Sequence, residues 1–192
     1  MSRDNHDDYC AVLEHAERLF GPEEVLAGVA RTAEAVTTAF RNRDPLVLCV
    51  MTGGFRFCSD LLGRLEFPLE LDYLHVSRYR DETRGGTLNW LRSPQRSLEG
   101  RHVLVVDDIL DEGVTLAAVC GYCADVGAAS VATAVLVDKR VPRQSMEADF
   151  VALTAPDRYL FGEGMDFKGY GRNLRGIYAV GKAVGKAVGK AE

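Results

Sequence analysis

The chain has 192 residues, room for one well-packed domain and short of two. Hydrophobic residues make up 47% and charged residues 27%, an ordinary balance for a water-soluble globular protein. A net charge of −5 gives no bulk attraction to nucleic acid or to an anionic membrane, and no apolar run approaches the roughly 20 residues that cross a bilayer.

The opening MSRDNHDDYC is polar and acidic, unlike the apolar segment of a secretory signal. The five cysteines (Cys10, Cys49, Cys58, Cys120, Cys123) are odd in number and mostly sit in apolar stretches, which reads as reduced thiols. Together these features predict a cytoplasmic protein. The pattern then predicts two helices. The first spans about Asp8 to Phe20. The second begins at GPEEV, where Pro22 and two acids suit a helix start. Val25, Val29, Ala33, Val36 and Phe40 give that second helix one buried stripe.

PLVLCVM (Pro45 to Met51) predicts a short strand stopped by TGG, followed by a helix over about Phe57 to Leu65 and a strand over Leu69 to Val76. Ser77 to Ser97 is polar, rich in arginine and without clear period. It reads equally as a lid or as a β-hairpin turning at Gly85-Gly86. Val103 to Val106 predicts a buried strand. A helix follows over about Val114 to Val126, with Leu116, Val119, Cys120, Cys123 and Val126 on one face and Gly127 as its cap. SVATAVLVDK (Ser130 to Lys139) predicts the next strand, so this stretch is a βαβ unit and the sheet should be parallel with both faces covered. Asp149 to Thr154 and a short Gly176 to Val180 complete the strands. AVGKAVGKAVGK repeats one tetrapeptide three times. Repeats this short cannot build a core, so residues 181–192 are expected to be disordered.

The chemistry concentrates in VLVVDDILDEGVTL. Asp107, Asp108 and Asp111 lie where a buried strand gives way to a helix, the place where open α/β sheets gather ligands. Residues 111–115 must turn tightly, which aims backbone N–H groups at a ligand and favours a phosphate. A phosphorylated sugar meets both demands, with hydroxyls near the acids. Two other readings stand beside it: acids as plain helix caps, and the acid pair of a Mg²⁺-dependent phospho-acceptor domain. CGYC (Cys120 to Cys123) has zinc-ligand spacing but lies in a helix's apolar stripe with no second pair, so both cysteines read as core. The four histidines show no ligand spacing.

VLVVDDILDEGVTL resembles the phosphoribosyl-pyrophosphate signature of type I phosphoribosyltransferases. VMTGGFRF resembles a pyrophosphate loop, SRY a Ser-Tyr element of a mobile loop, LVDKRVPR a purine-reading segment and PDRYLFGEGMDFKGYGRNL a hood segment. This combination, running from about Leu46 to Val180, is similar to the hypoxanthine-guanine phosphoribosyltransferases. The resemblance implies an α/β fold of the type I phosphoribosyltransferase kind: a central, mostly parallel sheet flanked by helices, with a small hood subdomain. Residues 1–180 would form one domain, its hood from parts of 1–40 and 155–180 and its core from about 41–154.

It also implies transfer of a phosphoribosyl group from phosphoribosyl pyrophosphate to a 6-oxopurine, with Mg²⁺ as cofactor. Asp107 and Asp108 would hold the ribose hydroxyls. Asp111, Glu112, Gly113, Val114 and Thr115 would wrap the 5-phosphate, with Asp111 as general base near purine N7. Lys139 would read O6, Tyr159 would stack on the base and Leu160 would contact it through its backbone. Asp166 would read the 2-position and help hold Mg²⁺, with Asp107 and Asp108 reaching the metal through water. Arg172, Thr52 and Gly53 would bind pyrophosphate beside Met51, joined by Ser77 and Tyr79 from the mobile loop. Read without the resemblance, Lys139 is a solvated lysine, Tyr159 a core aromatic and Arg172 a surface arginine.

Thr52 departs from the family pattern, where a lysine or arginine is common, and Asp107 stands where glutamate is frequent. The first departure removes a charge-assisted contact, which implies either weaker pyrophosphate binding or a greater share for Arg172 and Mg²⁺. Hypoxanthine and guanine are the expected bases, adenine is excluded, and a preference for xanthine stays open. A regulator that senses phosphoribosyl pyrophosphate is the reading from another class, although this acidic chain shows no basic face for nucleic acid. No nucleic-acid or membrane partner is expected. Family members imply a homo-oligomer, a dimer or tetramer.

Overall fold

The computed structural model describes residues 2–78, 88–139, 141 and 146–181. In chain order the elements are α1 (Ser2–Glu14), β1 (Glu17–Phe20), α2 (Pro22–Phe40), β2 (Leu46–Met51), α3 (Phe55–Leu62), β3 (Glu70–Arg78), β4 (Leu88–Arg92), β5 (His102–Leu110), α4 (Val114–Asp125), β6 (Ser130–Asp138), β7 (Phe150–Thr154), β8 (Leu160–Phe161) and β9 (Ile177–Ala179).

Six strands form the main sheet in the order β4-β3-β2-β5-β6-β7. Every pairing is parallel except β3 with β4. Side-chain alternation sends Val47, Cys49, Leu104 and Val106 to one face, where they pack with Val29, Val36, Phe57 and Leu61 of α2 and α3. Leu46, Leu48, Val103 and Val105 go to the other face, against Leu116, Val119 and Cys123 of α4. The apolar runs read from the sequence are thus buried on both sides, as a parallel sheet requires. α4 ends as expected: Gly127 (φ +88) donates to Ala124 and Ala128 to Cys123, closing the last carbonyls in a left-handed cap.

A second, three-stranded antiparallel sheet runs β1-β9-β8. Val12 of α1 packs with Phe161, Phe167 and Val180 beneath it. Arg158 ties this sheet together, pairing with Glu17 and donating to the Val180 carbonyl at 2.9 Å. Among the described residues, no helix is long and apolar enough to cross a membrane.

Several boundaries differ from expectation. The first helix stops at Glu14, and Glu17–Phe20, expected to continue it, is a strand. Its partner lies at the far end of the described chain, in β9, so no local period announces it. β8 was not expected at all, for the same reason. α3 starts and ends earlier than Phe57 and Leu65. Val126 is 39% exposed rather than part of the buried stripe of α4, because it follows the helix's last turn. β3 and β4 pair antiparallel on either side of residues 79–87, the arrangement of the hairpin reading. Those residues, which include Gly85-Gly86, and the repeats after Gly181 lie outside the described residues. The most consequential difference is in β5. Its ladder with β6 runs past Val106 to Leu110, opposite Asp138, so Asp107 and Asp108 lie within the strand.

Candidate active site

β2 ends on a cis Met51–Thr52 peptide, after which Gly53 and Gly54 lead into α3. Neither glycine has room for a side chain. A Cβ on Gly53 would lie 1.9 Å from Asp108 Oδ2, and one on Gly54 would lie 2.7 Å from the Val50 carbonyl oxygen. The loop can therefore lie directly against the acids of β5.

Asp107 and Asp108 are buried, 8% and 9% exposed. The Asp108 backbone N–H donates to Asp107 Oδ1 at 2.9 Å. Burial pushes both carboxyls above the ordinary range. For Asp107 the neighbouring charge of Asp108 adds to that push. For Asp108 the Asp107 side chain and the positive Arg172 work against it. The pair resists double ionisation until something hydrogen-bonds or neutralises it.

Beyond β5 the chain turns through Asp111 and Glu112 to Gly113, whose left-handed backbone (φ +80) suits glycine and starts α4. The first N–H groups of a helix lack partners within it, which makes this end a natural anion site. A cleft of about 500 Å³ opens in front of it, lined by Gly113 and Thr115, by Asp107, Asp108 and Asp111, by Thr52 and Gly53, and by Ser77, Asp166 and Arg172.

A second pocket of about 210 Å³ adjoins the first and shares Asp108, Asp111 and Asp166 with it. Lys139, Tyr159 and Leu160 complete its wall. Lys139, just past β6 and buried, places Nζ 2.9 Å from Asp111 Oδ2 and 3.3 Å from Asp157 Oδ1. Tyr159 meets Phe167 edge-on, with ring centroids 5.4 Å apart, and donates its hydroxyl to the Asp166 carbonyl at 3.2 Å. Leu160 is buried in β8. Arg172 Nη2 lies 2.6 Å from Asp166 Oδ1, while its Nη1 donates to the Gly164 carbonyl at 2.6 Å.

The structure thus gathers residues from six separate stretches around two joined pockets. Glu112 and Val114 belong to the turn, but their side chains line neither pocket. Tyr79 lies outside the described residues. His75 also lines the cleft. Strand alternation offered that signal, since His75 is two residues before Ser77 on β3 and faces the same side. Ile109, two residues after Asp107 on β5, lines both pockets and becomes predictable by the same alternation once the strand runs past Val106, whereas Met165 in the second pocket had no such signal. Among the described residues, no three His, Cys, Asp or Glu cluster as metal ligands. The CGYC thiols are pushed up by burial, Cys120 to about 11 and Cys123 to about 12, which suits core packing.

The family model for the phosphoribosyl transferase domain matches residues 15–168. The hypoxanthine-guanine-xanthine phosphoribosyltransferase of Tritrichomonas foetus is 31% identical over 85% of this chain and 91% of its own length. The chain belongs to the hypoxanthine-guanine phosphoribosyltransferase family. A hypoxanthine-guanine phosphoribosyltransferase of Aquifex aeolicus is likewise 31% identical, over 84% of this chain and 93% of that protein. The solved hypoxanthine phosphoribosyltransferase of Trypanosoma cruzi superposes with a TM-score of 0.82 at 32% identity, covering 89% of this chain and 98% of that one. The two-sheet architecture is therefore the type I phosphoribosyltransferase fold of this family.

Proposed function

We propose that this chain salvages purines by joining hypoxanthine or guanine to the phosphoribosyl group of phosphoribosyl pyrophosphate. The observation that carries the reading is the Lys139–Asp111 pair in the wall of the smaller pocket, with 2.9 Å between its charged atoms. One edge of a 6-oxopurine presents an acceptor, O6, beside a donor, N7–H. That edge can take the place of the pair, O6 receiving from Lys139 and N7–H giving to Asp111. Adenine offers an amino group where Lys139 needs an acceptor. A mismatch of this kind in a buried polar site discriminates by roughly 10⁴-fold or more.

In the larger cleft the main-chain N–H groups at the start of α4, with Thr115, bind the 5-phosphate. Asp107 and Asp108 accept from the ribose hydroxyls. As the bond from C1′ to pyrophosphate oxygen breaks and the bond to the purine nitrogen forms, positive charge develops on the sugar ring. The buried carboxylates supply the matching potential in a site with little water to screen it. Asp111 takes the purine proton. Thr52, Gly53, Ser77 and Arg172 hold the departing pyrophosphate.

The donor set fits Mg²⁺, which keeps several waters and uses one or two carboxylates with substrate phosphates rather than an all-protein cage. Asp166 would hold it, with Asp107 and Asp108 reached through water. When bound, the ion neutralises pyrophosphate charge. In this reading the β1-β9-β8 sheet is the hood over a single domain. The exposed Phe55, Leu71 and Leu91 (60%, 50% and 55% exposed) suit an oligomer contact between copies of the chain.

The test is a substrate panel. Purified protein with Mg²⁺ and phosphoribosyl pyrophosphate is offered hypoxanthine, guanine, xanthine and adenine, and pyrophosphate release is followed. Turnover of hypoxanthine or guanine, with none of adenine, is the expected result. Turnover of xanthine as well would align the chain with its Tritrichomonas relative. Silence on all four refutes the proposal.

A further inference from the structure

Residues 162–164 form a turn between the two sheets that is clamped from both sides. A Cβ on Gly162 would lie 2.2 Å from the Gly176 carbonyl oxygen, and one on Gly164 would lie 2.2 Å from that of Gly53. The turn therefore touches the small sheet at one end and the Thr52–Gly53 loop at the other. Between these glycines sits Glu163, 3% exposed and with a left-handed backbone (φ +50) that a residue with a side chain adopts reluctantly.

Its carboxylate holds it there. Oε1 accepts the Gly176 N–H at 2.7 Å, and Oε2 lies 3.5 Å from Arg56 Nε. Arg56 stands in the first turn of α3, directly after the loop, and its Nε donates to Asp60 Oδ2 at 3.2 Å. On the other side of the turn, Gly164 receives Arg172 Nη1 at its carbonyl and gives its own N–H to the Arg172 carbonyl at 3.0 Å. One short turn thus connects the arginine of the cleft with the loop that faces it.

We infer that Glu163 is a positioning residue for pyrophosphate recognition: by pairing with Arg56 it fixes Arg172 relative to residues 51–53. The inference deepens the proposed function and rests on it. Arg172 and the loop line the same cleft, and Thr52 brings no charge of its own. The spacing between this arginine and the loop then decides how well a diphosphate is gripped, while Lys139, which reads the purine, is supplied separately from the end of β6.

The experiment compares the full chain with Glu163→Gln, Arg56→Gln and the double variant, in steady-state kinetics and by calorimetric titration with phosphoribosyl pyrophosphate. Glutamine at 163 keeps the acceptor for Gly176, and Arg56 is partly exposed, so at least one single variant will fold. We expect KM for phosphoribosyl pyrophosphate to rise about 5- to 10-fold in each single variant, with kcat and KM for hypoxanthine within about threefold. The double variant should be no worse than the poorer single one, because both changes cut the same link. KM for phosphoribosyl pyrophosphate within threefold of wild type in all variants, whatever the melting temperature does, overturns the inference, as does a loss confined to kcat. A wild type that neither turns over a purine nor binds phosphoribosyl pyrophosphate takes the functional reading down with it, which separates the two failures.

Discussion

Two buried carboxylate sites on neighbouring regions of one sheet make opposite use of the same chemistry. Asp72, on β3, has three backbone donors: Tyr73 N–H at 2.8 Å to Oδ1, and Gln95 and Arg96 N–H at 2.7 and 2.8 Å to Oδ2. Burial pushes its carboxyl up, but these donors, helped by Arg92, outweigh burial and hold it below the ordinary value. Asp107 and Asp108, on β5, are as buried, and there burial outweighs the donors and the cation nearby, so both carboxyls are pushed up, Asp107 further by the charge of Asp108. The first site is complete in the folded chain and pins residues 95 and 96 to β3. The second leaves charge demand facing a cleft, which is where a hydroxyl-rich ligand earns its binding. Stability and function are separable in this sheet by asking where the donors come from.

The largest effect that can break this contrast comes from neutralising the β5 pair. Asp107→Asn with Asp108→Asn should lower kcat/KM by about 10²- to 10³-fold, the scale for losing preorganised charge stabilisation. The same change should raise stability at neutral pH by about 0.5–2 kcal/mol. The sign follows from linkage. A carboxyl whose folded pKa is raised keeps its proton when the unfolded chain has already released it. The wild type therefore loses stability as pH climbs above the usual carboxylate value of about 4, and the advantage of the double variant should grow over that range. Urea denaturation at several pH values, beside kinetics, checks both halves. A variant less stable than wild type at pH 7.5 would show that the acid pair holds the fold together after all.

Asp72→Asn should do the reverse, costing about 1–3 kcal/mol at neutral pH because an amide cannot accept on both sides. Activity below the melting temperature should stay within a few-fold. Here the folded pKa is lowered, so the contribution is present above the unfolded value of about 4 and disappears as pH falls through the folded value. The gap between wild type and variant should be constant from pH 8 to 5 and shrink below that. A gap that stays constant into acid would mean that the charge of Asp72 is idle.

The same contrast explains what the sequence could reveal. The stripe Val25, Val29, Ala33, Val36, Phe40 and the runs of β2, β5 and β6 are legible because burial repeats at a local period, and all five stripe residues are buried. The acids of β5 were legible as a site but not as strand. Two adjacent charges look like a strand's end, whereas the pairing of Ile109 with Val137 and Leu110 with Asp138 carries β5 two residues further. β1 and β8 escaped because four and two residues carry no period and are held by pairing with β9. Glu163 carries no signal of its own in the sequence, since its partners Arg56 and Gly176 are distant from it along the chain.

The smallest effect sharpens the comparison from the ligand's side. If the cleft's charge demand is real, adding a cation at its rim should help a polyanion bind without touching the acids. Thr52 is the place to add it: exposed, lining the cleft, and one residue from the glycine that rests on Asp108. Thr52→Lys brings an ammonium on a flexible stem, and an exposed ionic contact is worth about 0.2–1 kcal/mol. That corresponds to a fall in KM for phosphoribosyl pyrophosphate of roughly 1.5- to 5-fold, with KM for hypoxanthine unchanged, and the gain should fade as salt is raised. The lysine will also favour the ionised form of its acidic neighbours. Part of the gain should therefore vanish when Asp107→Asn and Asp108→Asn are combined with it. A gain that is insensitive to salt, or that survives in full without the acid pair, would place the new contact outside the cleft's own field and leave the contrast between the two carboxylate sites without its electrostatic basis.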